Sequence, residues 1–420
     1  MKQFFQLFGS YNKPYAPLVL ILFTAIISVM YVFAPNNLIP FIGGSIILSA
    51  FYDKTLPICI YLIANTLSIE MSGSLYLMIG VIVCLCAFSY ILKSTEQCPS
   101  FYRNMIIFFV ICSIMSQLFG PVGNWISLFS AILCSMLLFT SISLVFNKNG
   151  IVLFTCIILC GLSIILTTLL LLLNGQDIMS DRGVLLFNEH AKNIAYPIAI
   201  LPYVIVYIFF NKRDFFNLFT LIVLAGLGLM SLYFIVFTYS RSCLLALCFS
   251  GVYIALLSLK PLNIKNTIGI CLAFIGLAYF YMQLDIDTDT MYSNLEGGNG
   301  RTEIWYYFYG LLKQQGVFLT GLGPGDIKEY SSIGYYAHSA ILDFVFKFGI
   351  LGGIYIFSLI ICPFVKGFKS SPFFLGLLIL TILMYFTHST CLSVHFNVLL
   401  GFCIGGLQVQ KSSDNRNVYV

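Results

Sequence analysis

The sequence predicts an all-α polytopic membrane protein of about 12–14 transmembrane helices, with one large loop before the antepenultimate span. Three observations carry this. Apolar residues make up 60% of the 420 positions and charged residues only 9%, whereas soluble globular chains carry about 25% charged residues. The apolar residues fall in runs of roughly 17–25, the length a helix needs to cross a hydrocarbon core about 30 Å thick. The short alternating strands of a closed β-barrel do not appear.

From the N-terminus, spans are expected at 15–34, 37–51, 55–69, 74–92, 104–120, 125–146, 150–174, 193–210, 215–238, 242–259, 265–282, 339–365, 372–387 and 397–409. The whole chain, 1–420, then forms one integral-membrane domain. The second and third spans are short and hold Pro40 and Pro57. Either is readable as re-entrant, so twelve crossings fit as well as fourteen. The first span lacks a small-residue cleavage site and reads as retained.

Orientation follows from the basic residues, which cytoplasmic loops retain. With a cytoplasmic N-terminus and every span crossing, the inner segments hold Lys2, Lys13, Lys54, Lys93, Arg103, Lys148, Lys212, Arg213, Lys260, Lys265, Lys366, Lys369, Lys411 and Arg416, which is 14 of the 21 basic residues. Arg182, Lys192, Arg241, Arg301, Lys313 and Lys328 fall outside, and Lys347 falls within a span. Both termini are then cytoplasmic. The net charge of +5 is mostly this inside bias and gives no reason to invoke nucleic acid. The 14 cysteines sit almost entirely in apolar runs, where a thiol behaves as a small hydrophobe, so no structural disulfide is expected. No Cys/His spacing suggests a metal, and no cofactor is implied.

Two long polar stretches, 175–193 and 283–338, both fall on the outer side, where function is expected to concentrate. The second contains Trp305, several tyrosines and apolar runs, which suits a folded lid over a site. Three pieces of the outer side carry chemistry. In Tyr239-Ser240-Arg241-Ser242, Ser240 is placed to cap the next helix with Arg241 in its first turn, which would present N–H groups and a guanidinium to an anion. By position alone, Arg241 is equally readable as snorkelling to headgroups. In Gly300-Arg301-Thr302-Glu303-Ile304-Trp305, followed by Thr320-Gly321-Leu322-Gly323-Pro324-Gly325-Asp326, a second Arg precedes a turn whose glycines, Gly323 and Gly325, would let backbone approach a sugar closely. An ordinary surface helix and turn would read the same way. The third piece is His338-Ser339 at a span entry, where the helix dipole favours a neutral imidazole able to act as a base. A lone interfacial His is more often structural. All four histidines, His190, His338, His388 and His395, are expected at the outer side.

Taken together, these residues resemble the bacterial O-antigen ligase and polymerase family. From His338, the run HSAILDFVFKFGILGG is similar to that family's H-[NSQ]-x9-G-x-x-[GTY] pattern, ending on Gly349 and Gly352. Tyr-Ser-Arg-Ser at 239–242 resembles its Ser-Arg-Gly element, with Ser242 where Gly is usual. The stretch from Gly300 to Gly325 resembles the segment before the family's histidine, and Asn188-Glu189-His190-Ala191-Lys192-Asn193 resembles a short polar entry upstream. The match runs over roughly 180–365.

The resemblance implies a glycosyltransferase in the bacterial inner membrane with its site facing the periplasm. Its donor is a glycan on undecaprenyl pyrophosphate, and its acceptor is lipid A–core or another glycan. Arg241 and Arg301 would stabilise charge on the pyrophosphate leaving group, and His338 would deprotonate the acceptor hydroxyl. Arg182 and Lys192 are secondary candidates for steering the donor, although plain interfacial charge accounts for both. Ligase is favoured over polymerase because the histidine motif fits without gaps and the chain stops soon after its last span. A transporter or lipid flippase would place ionisable groups near the midplane. The spans are almost free of charge, with Asp343 and Lys347 the main exception, four residues apart on one face and able to pair.

Overall fold

The computed structural model describes residues 15–67, 73–94, 100–146, 150–176, 179–180, 183–184, 191–211, 216–238, 240–258, 301–326, 339–367, 372–386 and 392–414. The described residues are almost entirely helical. They comprise α1 (Tyr15–Phe33), α2 (Leu38–Tyr52), α3 (Leu56–Thr66), α4 (Gly73–Ser94), α5 (Ser100–Phe119), α6 (Trp125–Phe146) and α7 (Gly150–Leu173). After these come α8 (Ala191–Asn211), α9 (Leu218–Phe237), α10 (Arg241–Ser258), α11 (Arg301–Gln314), α12 (Ala340–Gly367), α13 (Pro372–Phe386) and α14 (Val394–Asp414). A 3-10 turn, Pro35–Asn37, joins α1 to α2, and a small antiparallel hairpin pairs Met179 with Val184 and Ser180 with Gly183. The expected span at 265–282 lies outside the described residues.

Thirteen of the fourteen expected spans therefore have a helix at their position. Six are long and apolar enough to cross a bilayer outright. The fold is a polytopic helical membrane bundle. Outer helices keep wide apolar faces for lipid, such as Leu18, Leu22 and Ile26 on α1 and Leu218, Phe219 and Ile222 on α9, all exposed. The inner helices are buried all round. Ten of the eleven residues of α3 are buried, which explains how a helix only ~16 Å long, at about 1.5 Å per residue, persists in the bundle: protein, not lipid, surrounds it.

The closest seam is between α6 and α14. A Cβ on Gly401 would lie 2.4 Å from the Leu138 carbonyl oxygen, and one on Gly405 would lie 2.9 Å from Val145 Cβ. This is a Gly-x-x-x-Gly face, which lets two helix backbones approach where lipid offers no hydrophobic drive for association. Other helices bond across the bundle through small polar groups: the Cys156 thiol donates to the Cys59 carbonyl (3.3 Å), and Gln408 Nε2 donates to the Tyr102 hydroxyl (3.0 Å).

α12 departs from the expected single span. It breaks at Gly349, whose φ of 65° and ψ of −158° lie outside helical space. The nine-residue arm 340–348 then folds against the arm 350–367. In a straight helix Phe344 and Gly352 would be ~12 Å apart along the axis. Here a Cβ on Gly352 would meet the Phe344 carbonyl oxygen at 2.4 Å, and the Phe344 and Tyr355 rings lie 5.8 Å apart. Phe109 of α5 fills the crook, with its ring 4.3 Å from that of Tyr355 and 4.9 Å from that of Phe348.

Candidate functional site

Where each helix ends can be measured against its neighbours. Cys134, the tenth residue of α6, donates its thiol to the Leu392 carbonyl (3.2 Å), two residues before α14 begins. Cys160, in the middle of α7, borders one small cavity together with Tyr196 of α8, Tyr385 of α13 and His395 of α14. α6 and α7 therefore continue for nine and thirteen residues past these levels, which is ~14 and ~20 Å of rise. Among the described residues, α6 and α7 thus extend beyond the ends of α3, α13 and α14 on this side. α10 starts close to this level, since its Cys243 thiol approaches the Ala195 carbonyl (3.7 Å) in the first turns of α8.

The structure accounts for the expected site residues as follows. Arg241 is the first residue of α10 and Arg301 the first of α11. The N-cap at α10 is made by the Ser240 carbonyl, which accepts from the Cys243 and Leu244 amides (3.1 and 3.2 Å). The Ser240 hydroxyl was expected to cap the helix. It is instead buried, with no hydrogen-bond partner among the described residues. Lys192 lies in the first turn of α8. Arg182, His190, His338 and His388 lie outside the described residues. Ser339, directly after His338, is fully buried and caps α12: its carbonyl accepts from the Asp343 amide (2.8 Å) and its Oγ from the Leu342 amide (3.4 Å).

Gly323 and Gly325 are where the structure is most explicit. Their amides donate to the Lys347 carbonyl (3.1 Å) and the Val122 carbonyl (2.9 Å). Just before them, the Leu322 amide donates to Phe346 O (2.8 Å) and Leu322 O accepts from the Val122 amide (2.8 Å). The N–H groups expected to approach a sugar are thus spent inside the protein. Across the break, the Ile350 amide donates to the Phe318 carbonyl (2.9 Å), and the Ser116 hydroxyl donates to Lys347 O. A broken helix frees carbonyls on one side and amides on the other, and within a membrane these must find partners. The glycine turn supplies both kinds. Backbone atoms stand too close to Gly321, Gly323, Gly325 and Gly349 for any Cβ, with contacts of 2.3–2.5 Å.

α11 is fastened to the same clamp. Ile304, Phe308 and Leu312 bury against Leu322 and Phe346, with Val122, Trp305 and Leu342 around them. The stretch 301–326 is therefore folded and packed on the arm that Ser339 caps. On that arm Asp343 and Lys347, both buried, pair at 3.7 Å as their spacing suggested.

His395 differs from its expected place at the outer surface. Its Nε2 lies 3.0 Å from the Thr66 hydroxyl, at the mid-depth of α7. The signal for this was present in Ser393-Val394-His395-Phe396-Asn397, where polar residues on alternate positions interrupt an apolar span.

Residues 225–357 match the family model described as O-antigen ligase. The match covers 133 of the 420 residues, and this segment is similar to that family's domain. No curated protein matches the chain. The O-antigen ligase domain runs from the middle of α9 to the second arm of α12. It therefore takes in Arg241, Arg301, the glycine clamp, His338 and the break at Gly349, and leaves Arg182, Lys192 and His395 outside it.

Proposed function

We propose that this protein is an O-antigen ligase of the bacterial inner membrane. It transfers O-antigen polysaccharide from undecaprenyl pyrophosphate to lipid A–core at the periplasmic face, by inverting, metal-independent glycosyl transfer. One observation supports this above the others. The family segment takes in the starts of α10 and α11 and the glycine turn that holds the break in α12, and its two pattern glycines, Gly349 and Gly352, sit where a side chain cannot fit.

In this reading Arg241 and Arg301, each opening a helix, meet the pyrophosphate as it gathers charge, with the free N–H groups of those helix starts adding to the field. His338 takes the proton of the acceptor hydroxyl as that oxygen attacks the anomeric carbon. The carbon–oxygen bond to pyrophosphate breaks, and the leaving group carries away the electron pair. A placed general base contributes about 10²- to 10⁴-fold. Gly323 and Gly325 act through the backbone: they fix the break in α12 and so the arm whose start adjoins His338. The segment 283–338 serves as the lid, and Arg182 and Lys192, on the loop 175–193, steer the donor.

The test is a deletion strain complemented with wild type or His338→Ala, with lipopolysaccharide resolved on gels and lipid-linked glycan measured in parallel. Loss of every polymer from lipid A–core, with long chains accumulating on the carrier, establishes the ligase. If single repeats still reach lipid A–core and only longer chains vanish, the protein is the polymerase. An unchanged profile in the deletion strain removes both readings.

A further inference from the structure

The starts of α8 and α10 lie side by side. The thiol of Cys243, the third residue of α10, is 3.7 Å from the carbonyl of Ala195, the fifth residue of α8. Each helix start presents N–H groups with no acceptor inside its own helix, together with the positive end of a dipole. Two such ends therefore add at one place. Neither helix has an acidic residue in its first turn to offset them, and each carries a basic one there, Lys192 and Arg241.

Ser240 is the residue at the mouth of α10. It is 1% exposed, and its hydroxyl has no hydrogen-bond partner among the described residues. Other helix starts spend such a group on their own amides. Asn124 Oδ1 accepts from the Ile126 amide (2.9 Å), Asn217 Oδ1 from Thr220 (2.8 Å), Ser339 Oγ from Leu342 (3.4 Å) and Ser393 Oγ from Phe396 (3.4 Å). At α10 the backbone does this work, since the Ser240 carbonyl accepts from both the Cys243 and Leu244 amides. The hydroxyl is left over, with the Arg241 and Ser242 amides that precede the first bond within the helix. Only Cβ, Cα and the carbonyl carbon separate Ser240 Oγ from the Arg241 nitrogen, so hydroxyl and amide stand close together in every rotamer. A buried hydroxyl without a partner costs about 1–3 kcal/mol, which an arriving acceptor would restore. The acceptor that suits two helix starts, each with a basic residue, and a spare hydroxyl is a phosphate.

We propose that the paired starts of α8 and α10 form a phosphate site, in which the Ser240 hydroxyl and the Arg241 and Ser242 amides donate to one phosphoryl group of the lipid-linked donor's pyrophosphate. That the phosphate is the donor's rests on the transferase reading above; the site itself does not. The hydroxyl supplies what a long guanidinium arm does not, a donor held in place by the backbone. It aligns the phosphoryl group, and its bond strengthens as the leaving group gathers charge.

The test melts the full-length protein in a detergent without phosphate, with undecaprenyl pyrophosphate as one probe and phosphatidylglycerol as the other. S240A and S240G both remove the hydroxyl, and Gly is also a good N-cap. Without ligand, S240A is expected to melt at or above wild type, because the hydroxyl has no bond to lose. Affinity for undecaprenyl pyrophosphate, read from the concentration dependence of melting, should fall about tenfold or more in both variants, as for a hydrogen bond to a charged group. Unliganded S240A melting below wild type would mean that the hydroxyl is spent inside the protein, and overturns the proposal. Unchanged affinity in both variants, loss in one alone, or a wild type protected by neither probe also overturns it. If only phosphatidylglycerol binding depends on the hydroxyl, the site holds a lipid headgroup and its assignment to the donor fails. A wild-type protein that transfers no glycan sinks the transferase reading, and the binding arm still decides the phosphate site.

Discussion

Replacing Gly349 with Ala perturbs the point on which the clamp turns. At φ 65° and ψ −158° the backbone is in a region that only glycine occupies freely, and another residue there costs about 1–3 kcal/mol. The new Cβ would also lie 2.4 Å from the Leu319 carbonyl oxygen and 2.6 Å from that of Phe318. Both are backbone atoms that cannot rotate aside, so residues 318–319 must retreat. That breaks the bonds from the Ile350 and Leu351 amides (2.9 and 3.5 Å), each worth about 0.5–1.5 kcal/mol. The sum is about 2–6 kcal/mol, concentrated on the joint between α12 and the turn after α11. Melting of the detergent-solubilised protein, followed by size-exclusion chromatography, measures it, with the lipopolysaccharide ladder as the functional readout. Gly310→Ala is the control: it lies within α11 with open space around it, and Ala there is expected to be neutral or to stabilise by about 0.5–1 kcal/mol. If Gly349→Ala melts with wild type and keeps a full ladder, the break is not a fixed feature and the reasoning about the clamp fails.

Other outcomes follow from the same contacts. Gly401→Leu should separate α14 from α6 and lower the yield of folded protein far more than Gly226→Leu, whose position is open, as chromatography would show. Removing one partner of the buried Asp343–Lys347 pair should cost about 3–5 kcal/mol, and D343L combined with K347M should cost less than either alone; a strictly additive double-mutant cycle in melting experiments would refute this. Arg241→Lys and Arg301→Lys keep the charge but lose the planar fork that suits phosphate, so transfer measured with a lipid-linked donor should fall in both, and retention of full activity would remove that Arg from the leaving-group site.

Most helix positions were legible because a buried apolar run leaves little choice of structure. Trp125–Phe146 matches its expected span at both ends. The break at 349 was hidden from hydropathy because Phe348 and Ile350 are both apolar and a long run reads as one crossing. The sign of it was in the glycines of Phe-Gly-Ile-Leu-Gly-Gly at 348–353, which the family pattern marks without saying why. Gly323 and Gly325 were expected to let backbone approach a sugar closely, and Gly323 adopts a φ of 120°. Composition alone cannot tell whether the approaching group is a ligand or another stretch of chain, and here it is Val122 and Lys347. The relative levels of the helix ends had no sequence signature, because they arise from the register of one helix against another, as where Leu392 lies level with Cys134.

The staggered helix ends and the broken helix belong to one arrangement. A helix starting at Val394 rather than nine or ten residues earlier leaves the upper half of α6 without a neighbour from α14, and the folded arm 340–348 packs against α14 and α5 at this level. An arm of nine residues, ~14 Å long, could not cross a bilayer and would leave both its ends unsatisfied in lipid. It is held because Ser339 caps one end, and the turn 317–325 with Ser116 takes up the carbonyls and amides at the other. The arm packs beside α5 in the bundle with the hydrogen bonds at its ends already met. Buried polar groups such as Asp343, Lys347 and Thr66 can therefore persist within an apolar bundle: each lies where helix ends or a broken helix already require polar partners.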